Sequence, residues 1–164
     1  MIHKQYSSKK RHLTDESQTV MFAQSLAKLC DKLDVATPGL VVYLQGELGA
    51  GKTSFSRAFI QTFLPGQRVK SPTYTLVESY ATANMTLFHF DLYRLCEPEE
   101  LEYIGIRDLL VTPFIALVEW PSKGQGVLPK ADLVLNLNLI DEGRELILQA
   151  CSVQGEALLA KLES

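Results

Sequence analysis

Apolar residues recur along this chain in two rhythms, one of helices and one of strands. After Thr14 and Asp15, both able to cap a helix, they fall at Phe22, Leu26, Leu29, Cys30 and Leu33. Steps of three and four residues line one face of an amphipathic helix. Thr37, Pro38 and Gly39 break it. Leu40, Val41, Val42, Tyr43 and Leu44 then form a short apolar run rich in β-branched residues, which predicts a buried strand. Residues 54–64 predict a second helix, with Phe55, Phe59 and Phe63 four apart and Pro65-Gly66 as its stop.

From Val69 the rhythm shortens. Residues 76–81 and 85–93 are extended runs across Thr82, Ala83 and Asn84, a spacing that predicts an antiparallel hairpin. Glu97-Pro98-Glu99-Glu100 opens a further helix, with proline in the first turn and acids at the positive end of the dipole. Leu101, Ile104 and Leu109 or Leu110 are its expected buried side. Residues 114–118 are again wholly apolar. Residues 132–140 and 145–150 alternate as a second hairpin, and 155–162 close the chain as a helix. A short strand is expected around Arg11, His12 and Leu13, with residues 1–11 otherwise a flexible polar extension. Helices interleaved with strands predict a three-layer α/β fold in a single domain. Its sheet is mixed, mainly parallel, and extended by antiparallel hairpins.

The junction between the first predicted strand and the second helix carries the most specific chemistry. Gly46-Glu47-Leu48-Gly49-Ala50-Gly51-Lys52-Thr53 fits G-x-x-x-x-G-K-[ST] without a mismatch. Its strand–loop–helix context is that of a phosphate-binding loop in a P-loop NTPase-like fold. Glycines let backbone N–H groups face a phosphate with no Cβ in the way. The helix N-terminus adds free N–H donors and partial positive charge. Glu47, Leu48, Gly49, Ala50, Gly51, Lys52, Thr53 and Ser54 are thus the expected nucleotide-binding segment. Lys52 is placed to bridge the β- and γ-phosphates, and the Thr53 hydroxyl to take Mg²⁺.

Composition narrows the partners. The chain is 46% hydrophobic and 21% charged, with a net charge of −3. No apolar run approaches the ~20 residues of a membrane helix. A stand-alone nucleic-acid binder normally shows a basic footprint. Here the dense basic cluster is Lys9-Lys10-Arg11-His12, so any RNA is expected to be gripped mainly by a partner. Cys30, Cys96 and Cys151 are odd in number and far apart, with no zinc spacing. Reduced thiols in a cytoplasmic protein account for them.

A P-loop enzyme needs a further carboxylate for Mg²⁺ and a group to orient the attacking atom. Two apolar runs end in an acid: Asp91 after Phe90, and Glu119 after Val118. Periodicity does not rank them. His89 alternates with Phe88 and Phe90 and reads as a structural histidine. Trp120, between Glu119 and Pro121, reads as a wedge at the sheet end.

Together these stretches carry a family resemblance. Gly46-Glu47-Leu48-Gly49-Ala50-Gly51-Lys52-Thr53 is followed by Ser71-Pro72-Thr73-Tyr74-Thr75-Leu76-Val77. His89-Phe90-Asp91-Leu92-Tyr93-Arg94 and Val118-Glu119-Trp120-Pro121 come next, in this order. The combination resembles the TsaE family of bacterial ATPases in tRNA threonylcarbamoyladenosine biosynthesis, from about Leu13 to the C-terminus. The resemblance implies ATP or ADP as nucleotide and Mg²⁺ held by Thr53 and Glu119. It implies catalytic roles for Lys52, Asp91 and Glu119, with Asp91 positioning water. It brings Trp120, Thr19 and Arg144 near the nucleotide. Ser71, Pro72, Thr73, Tyr74 and Thr75 become a switch loop that closes over nucleotide or partner. The implied partner is the TsaB–TsaD complex, with tRNA reached through it. Alternatives are a P-loop small-molecule kinase, although no arginine-rich lid is evident, and a nucleotide-gated binding module without turnover.

Overall fold

The apolar runs at residues 40–44 and 114–118 lie side by side at the centre of a seven-stranded sheet. The computed structural model describes residues 5–72 and 74–162. In chain order its strands are β1 (Ser8–Leu13), β2 (Leu40–Gly46), β3 (Val77–Ala81), β4 (Thr86–Asp91), β5 (Phe114–Glu119), β6 (Leu133–Leu139) and β7 (Arg144–Ala150). The helices are α1 (Glu16–Lys32), α2 (Lys52–Phe63), α3 (Glu100–Tyr103), α4 (Ile106–Leu109) and α5 (Val153–Lys161). The order across the sheet is β1-β7-β6-β2-β5-β4-β3. β6, β2, β5 and β4 run parallel; β3 at one side, and β7 at the other, pair antiparallel. The expected mixed α/β fold is thus observed.

The central strands are apolar on both faces because both faces are covered. Leu40, Val42, Leu44, Ile115 and Leu117 pack with Phe22 and Leu26 of α1, Phe55 and Phe59 of α2, and Leu158 and Leu159 of α5. Val41, Ala116 and Val118 face the other way, against Leu101, Ile106 and the residues leading into α3. Each fully buried phenylalanine of α2 contributes on the order of 1.5–3 kcal/mol of transfer free energy. Asp15 caps α1, its Oδ1 accepting from the Gln18 N–H at 3.1 Å.

Several boundaries differ from expectation. Ser8–Leu13 is a strand, paired along its length with β7 from Ser8↔Gln149 to Leu13↔Arg144. Residues 8–11, expected in a flexible extension, are therefore an ordered edge; residues 1–4 lie outside the described residues. Backbone pairing rather than apolar alternation makes this edge; Lys10 is exposed on it, while the half-buried Arg11 lies over the Phe22 ring, 5.3 Å from its centroid. The helix expected from Glu97 is two single turns, α3 and α4. Gly105 between them sits at φ +74°, where the helical ladder cannot continue. Leu76, at φ +67°, belongs to a turn closed by its N–H to Pro72 O at 2.9 Å, so β3 starts one residue late. Arg144 falls in β7 rather than in the hairpin turn.

Candidate functional site

Parallel register delivers three strand ends to one edge of the sheet. Leu44 of β2 lies opposite Glu119 of β5, and Asp91 of β4 lies opposite Glu119 on the other side. β2 then enters the glycine loop, which returns as α2. Gly46 must be glycine for space: a Cβ there would stand 2.5 Å from the Leu137 carbonyl oxygen. Gly51, the residue before α2, holds φ +109°, a conformation L side chains rarely adopt. α2 consequently begins at Lys52, with its first N–H groups turned to the loop.

Lys52 lies deep for a lysine, 5% exposed. Its Nζ donates to the Gly46 carbonyl and, at 3.1 Å, to the Glu47 carbonyl. The same ammonium stands 4.1 Å from the centre of the Trp120 ring. Burial holds its pKa below the ordinary lysine value, against the pull of Glu119 and Asp91. Trp120 reaches this place through a left-handed backbone, φ +58°. A bulky side chain in that region is a genuine outlier, and such outliers cluster at functional sites. Its ring also packs on Tyr93, centroids 5.0 Å apart.

Glu119 is 2% exposed and uses both oxygens. Oε1 accepts from the Thr53 hydroxyl at 3.2 Å, and Oε2 meets His89 Nε2 at 2.5 Å. Asp91 Oδ1 accepts the Tyr93 N–H at 3.1 Å. Burial raises the Asp91 pKa above the usual carboxylate value and the Glu119 charge adds to this. The Tyr93 N–H, His89 and Lys52 act in the other direction.

These groups open into a cleft of about 470 Å³. It takes in Leu48, Gly49, Gly51, Lys52, Thr53 and Ser54 of the loop, Asp91 and Glu119 of the strand ends, and Ser71, Trp120 and Arg144. Glu47 joins through its carbonyl, and Ala50 is buried behind the loop. Thr19 is fully buried and accepts from Arg144 Nη1 at 3.4 Å, bracing that guanidinium beside Gly51. The segment 71–75 is only partly gathered. Tyr74 is exposed, with its ring 5.0 Å from the Arg94 guanidinium. Thr75 Oγ1 donates to Glu78 at 3.1 Å, and Thr73 lies outside the described residues.

Sequence reasoning missed two residues and undervalued a third. Glu16 lines the cleft and accepts from the Ser54 hydroxyl at 2.6 Å. Tyr93 lines it beside Trp120. His89, read as structural, is in contact with Glu119. Strand alternation puts His89 and Asp91 on the same face, which was the available signal.

Thr53 and Glu119 fit a Mg²⁺ ion. Both offer hard oxygens from adjacent positions. Mg²⁺ is usually held by one or two carboxylates with phosphates and water rather than by an all-protein cage. No group of three or more His, Cys, Asp or Glu among the described residues is disposed to bind a metal by itself.

A mixed sheet parallel at its centre, a glycine loop entering a helix and strand-end carboxylates facing it define a protein of the P-loop NTPase-like class. A family model described as threonylcarbamoyl adenosine biosynthesis protein TsaE matches residues 13–146. The chain is 43% identical over 150 residues to a Haemophilus influenzae protein named tRNA threonylcarbamoyladenosine biosynthesis protein TsaE, covering 92% of this chain and 94% of that one. A Bacillus subtilis protein of the same name is 33% identical over 128 residues, covering 77% and 80%. The crystal structure of Bacillus subtilis YdiB superposes with a TM-score of 0.77 at 25% identity, covering 97% of this chain and 96% of that one. This chain belongs to the TsaE family.

Proposed function

We propose that this protein is a Mg²⁺-dependent ATPase required for threonylcarbamoyladenosine formation in tRNA. The modified base is the adenosine next to the anticodon in tRNAs reading codons that begin with A, and the protein acts on it through the TsaB–TsaD complex. The observation that carries the reading is the convergence of Lys52, Thr53, Asp91 and Glu119 on one cleft at the mouth of the glycine loop. Its family membership supplies the tRNA context.

The loop amides and the α2 N-terminus receive the phosphates. Lys52 exchanges the Gly46 and Glu47 carbonyls for β/γ-phosphate oxygens, gaining a charge-assisted partner in their place. Thr53 and Glu119 would hold Mg²⁺, which would supply charge neutralisation at the phosphoryl group. Asp91 orients water; its burial, which raises its pKa, makes it a better proton acceptor than an exposed aspartate. Trp120 covers the ammonium of Lys52 and excludes solvent from it. The net charge of −3 suits a helper that leaves RNA binding to its partners. Such a role belongs in the cytoplasm.

Segment 71–75 is the proposed switch. Ser71 lines the cleft while Tyr74 stands exposed at the surface, so the segment links nucleotide and partner. Loops ordered by a γ-phosphate are an established way to change partner affinity. Hydrogen exchange over residues 69–78 should differ between ADP and a non-hydrolysable ATP analogue; identical protection removes the switch.

The deciding experiment is ATP hydrolysis by the purified protein, with and without a TsaB–TsaD pair. Phosphate release stimulated by the pair supports the reading. Transfer of label to a small acceptor makes the protein a kinase. Binding without turnover in either condition makes it a nucleotide-gated module.

A further inference from the structure

His89 stands on the face of β4 that also carries Leu87 and Asp91, and it is fully buried. Its Nε2 lies 2.5 Å from Glu119 Oε2, and its Nδ1 has no hydrogen-bond partner. Nε2 is thus the ring nitrogen placed to donate, and Glu119 Oε2 the oxygen placed to accept. Glu119 is also nearly fully buried, and its other oxygen faces the Thr53 hydroxyl at 3.2 Å. The two oxygens therefore have separate tasks.

We propose that His89 is a positioning residue that holds Glu119 Oε2 through Nε2–H, so that Oε1 alone is presented, beside Thr53, to a divalent cation. The proposal rests on the reading of Glu119 as the metal carboxylate. A glutamate side chain has three torsions to fix, and the strand end fixes none of them. The imidazole stands fully buried on β4, between Phe88 and Phe90 in the strand, so it supplies a fixed donor. Without it, Oε2 would be a buried acceptor with no partner, next to the like charge of Asp91 opposite in register. Glu119 would then relax away from Thr53. Partners of metal-ligating carboxylates commonly change metal affinity 10–100-fold when removed.

The test uses the full chain and ADP, with Trp120, the single tryptophan, as the fluorescent reporter. ADP affinity is measured across a MgCl₂ titration and again in EDTA. His89→Phe keeps a ring in the site and removes the donor. It should raise the Mg²⁺ concentration at half-effect about 10–100-fold while leaving affinity in EDTA unchanged. His89→Gln, which restores an N–H donor, should recover most of that loss. In a Glu119→Ala background, His89→Phe should add less than about a twofold change, because its target is gone. Equal loss in both backgrounds, or loss that appears equally in EDTA, overturns the positioning role. Should His89→Phe not fold, His89→Leu, which also lacks a donor, takes its place in both backgrounds. A parent protein whose ADP affinity ignores Mg²⁺ removes the metal reading of Glu119, and this proposal with it. A Mg²⁺-dependent parent with an unaltered His89→Phe variant removes only the role of His89.

Discussion

β4 and β5 carry one face of the sheet through two environments only a few residues apart. At Leu87, Ile115 and Leu117 that face is apolar and belongs to the core formed with Phe55 and Phe59 of α2. At His89, Asp91 and Glu119 it is ionisable and hardly less buried, with Lys52 beside it. Burial of carbon scales with area and stabilises the fold. Burial of charge works against it unless every group is paired. The core half of this face therefore holds the sheet to α2, and the tip half carries the proposed chemistry. Substitutions should separate the two: core changes move stability, and tip changes move nucleotide handling.

The largest separation is expected at α2. Phe59 is fully buried, with its ring centroid 6.2 Å from that of Phe55 and 5.5 Å from that of Phe63. Phe59→Ala should destabilise the protein by about 3–5 kcal/mol, seen in denaturant melts. The folded fraction should bind nucleotide as the parent does. About two turns earlier in the same helix, Lys52→Ala should do the reverse. Hydrolysis should fall at least about 10²–10³-fold, the usual loss when a donor to developing charge is removed. Stability should stay within about 1 kcal/mol, because the lost bonds to the Gly46 and Glu47 carbonyls are offset by relief of a desolvated ammonium. An alanine variant that hydrolyses ATP at the parent rate would remove the phosphate-loop reading altogether.

The next contrast lies within the tip. Asp91 and Glu119 face each other in register, yet only Glu119 bonds Thr53. Glu119→Ala should weaken Mg²⁺-dependent nucleotide binding by about tenfold or more. Asp91→Ala should leave Mg²⁺ dependence near the parent and lower turnover about 10²–10⁴-fold, as for loss of a general base. Mg²⁺ titrations and single-turnover rates on both variants check this. An exchange of the two phenotypes would make Asp91 the metal carboxylate.

The two halves also differ in how far they could be read from the chain. The core half was legible, because Phe55, Phe59 and residues 114–118 keep strict helical or strand rhythm. The loop was legible from spacing alone, since Gly46 and Gly51 serve backbone conformations that few other residues allow. The bond between His89 and Glu119 was not, because it crosses from β4 to β5 and depends on register, which periodicity does not supply. Glu16 met Ser54 only once α1 and α2 had packed. The strand at Arg11, His12 and Leu13 was legible, but residues 8–10 of β1 escaped because they are held by backbone pairing and carry no apolar side chain.

The smallest effect is a stability gain at the tip, and its sign follows from Asp91. Burial raises the folded-state pKa of this carboxyl above its ordinary value of 3.8, so folding disfavours its charged form. Below 3.8 the group is protonated in both folded and unfolded chains and nothing is lost. As pH rises through the folded pKa, the fold must carry a desolvated charge, and stability falls relative to a neutral side chain. Asp91→Asn has no charge to carry, and its amide oxygen still accepts the Tyr93 N–H. The variant should melt above the parent at pH 7, by on the order of 2 °C for a chain of this size. That gap should close as pH is lowered towards 4, while turnover at pH 7 is lost. Thermal melts of both proteins at pH 7, 5 and 4 measure it. A parent more stable than the variant at pH 7, or a gap that widens on acidification, would show that Asp91 is held as a stabilising carboxylate. The contrast between an apolar half that stabilises and a charged half that carries the proposed chemistry would then fail at its centre.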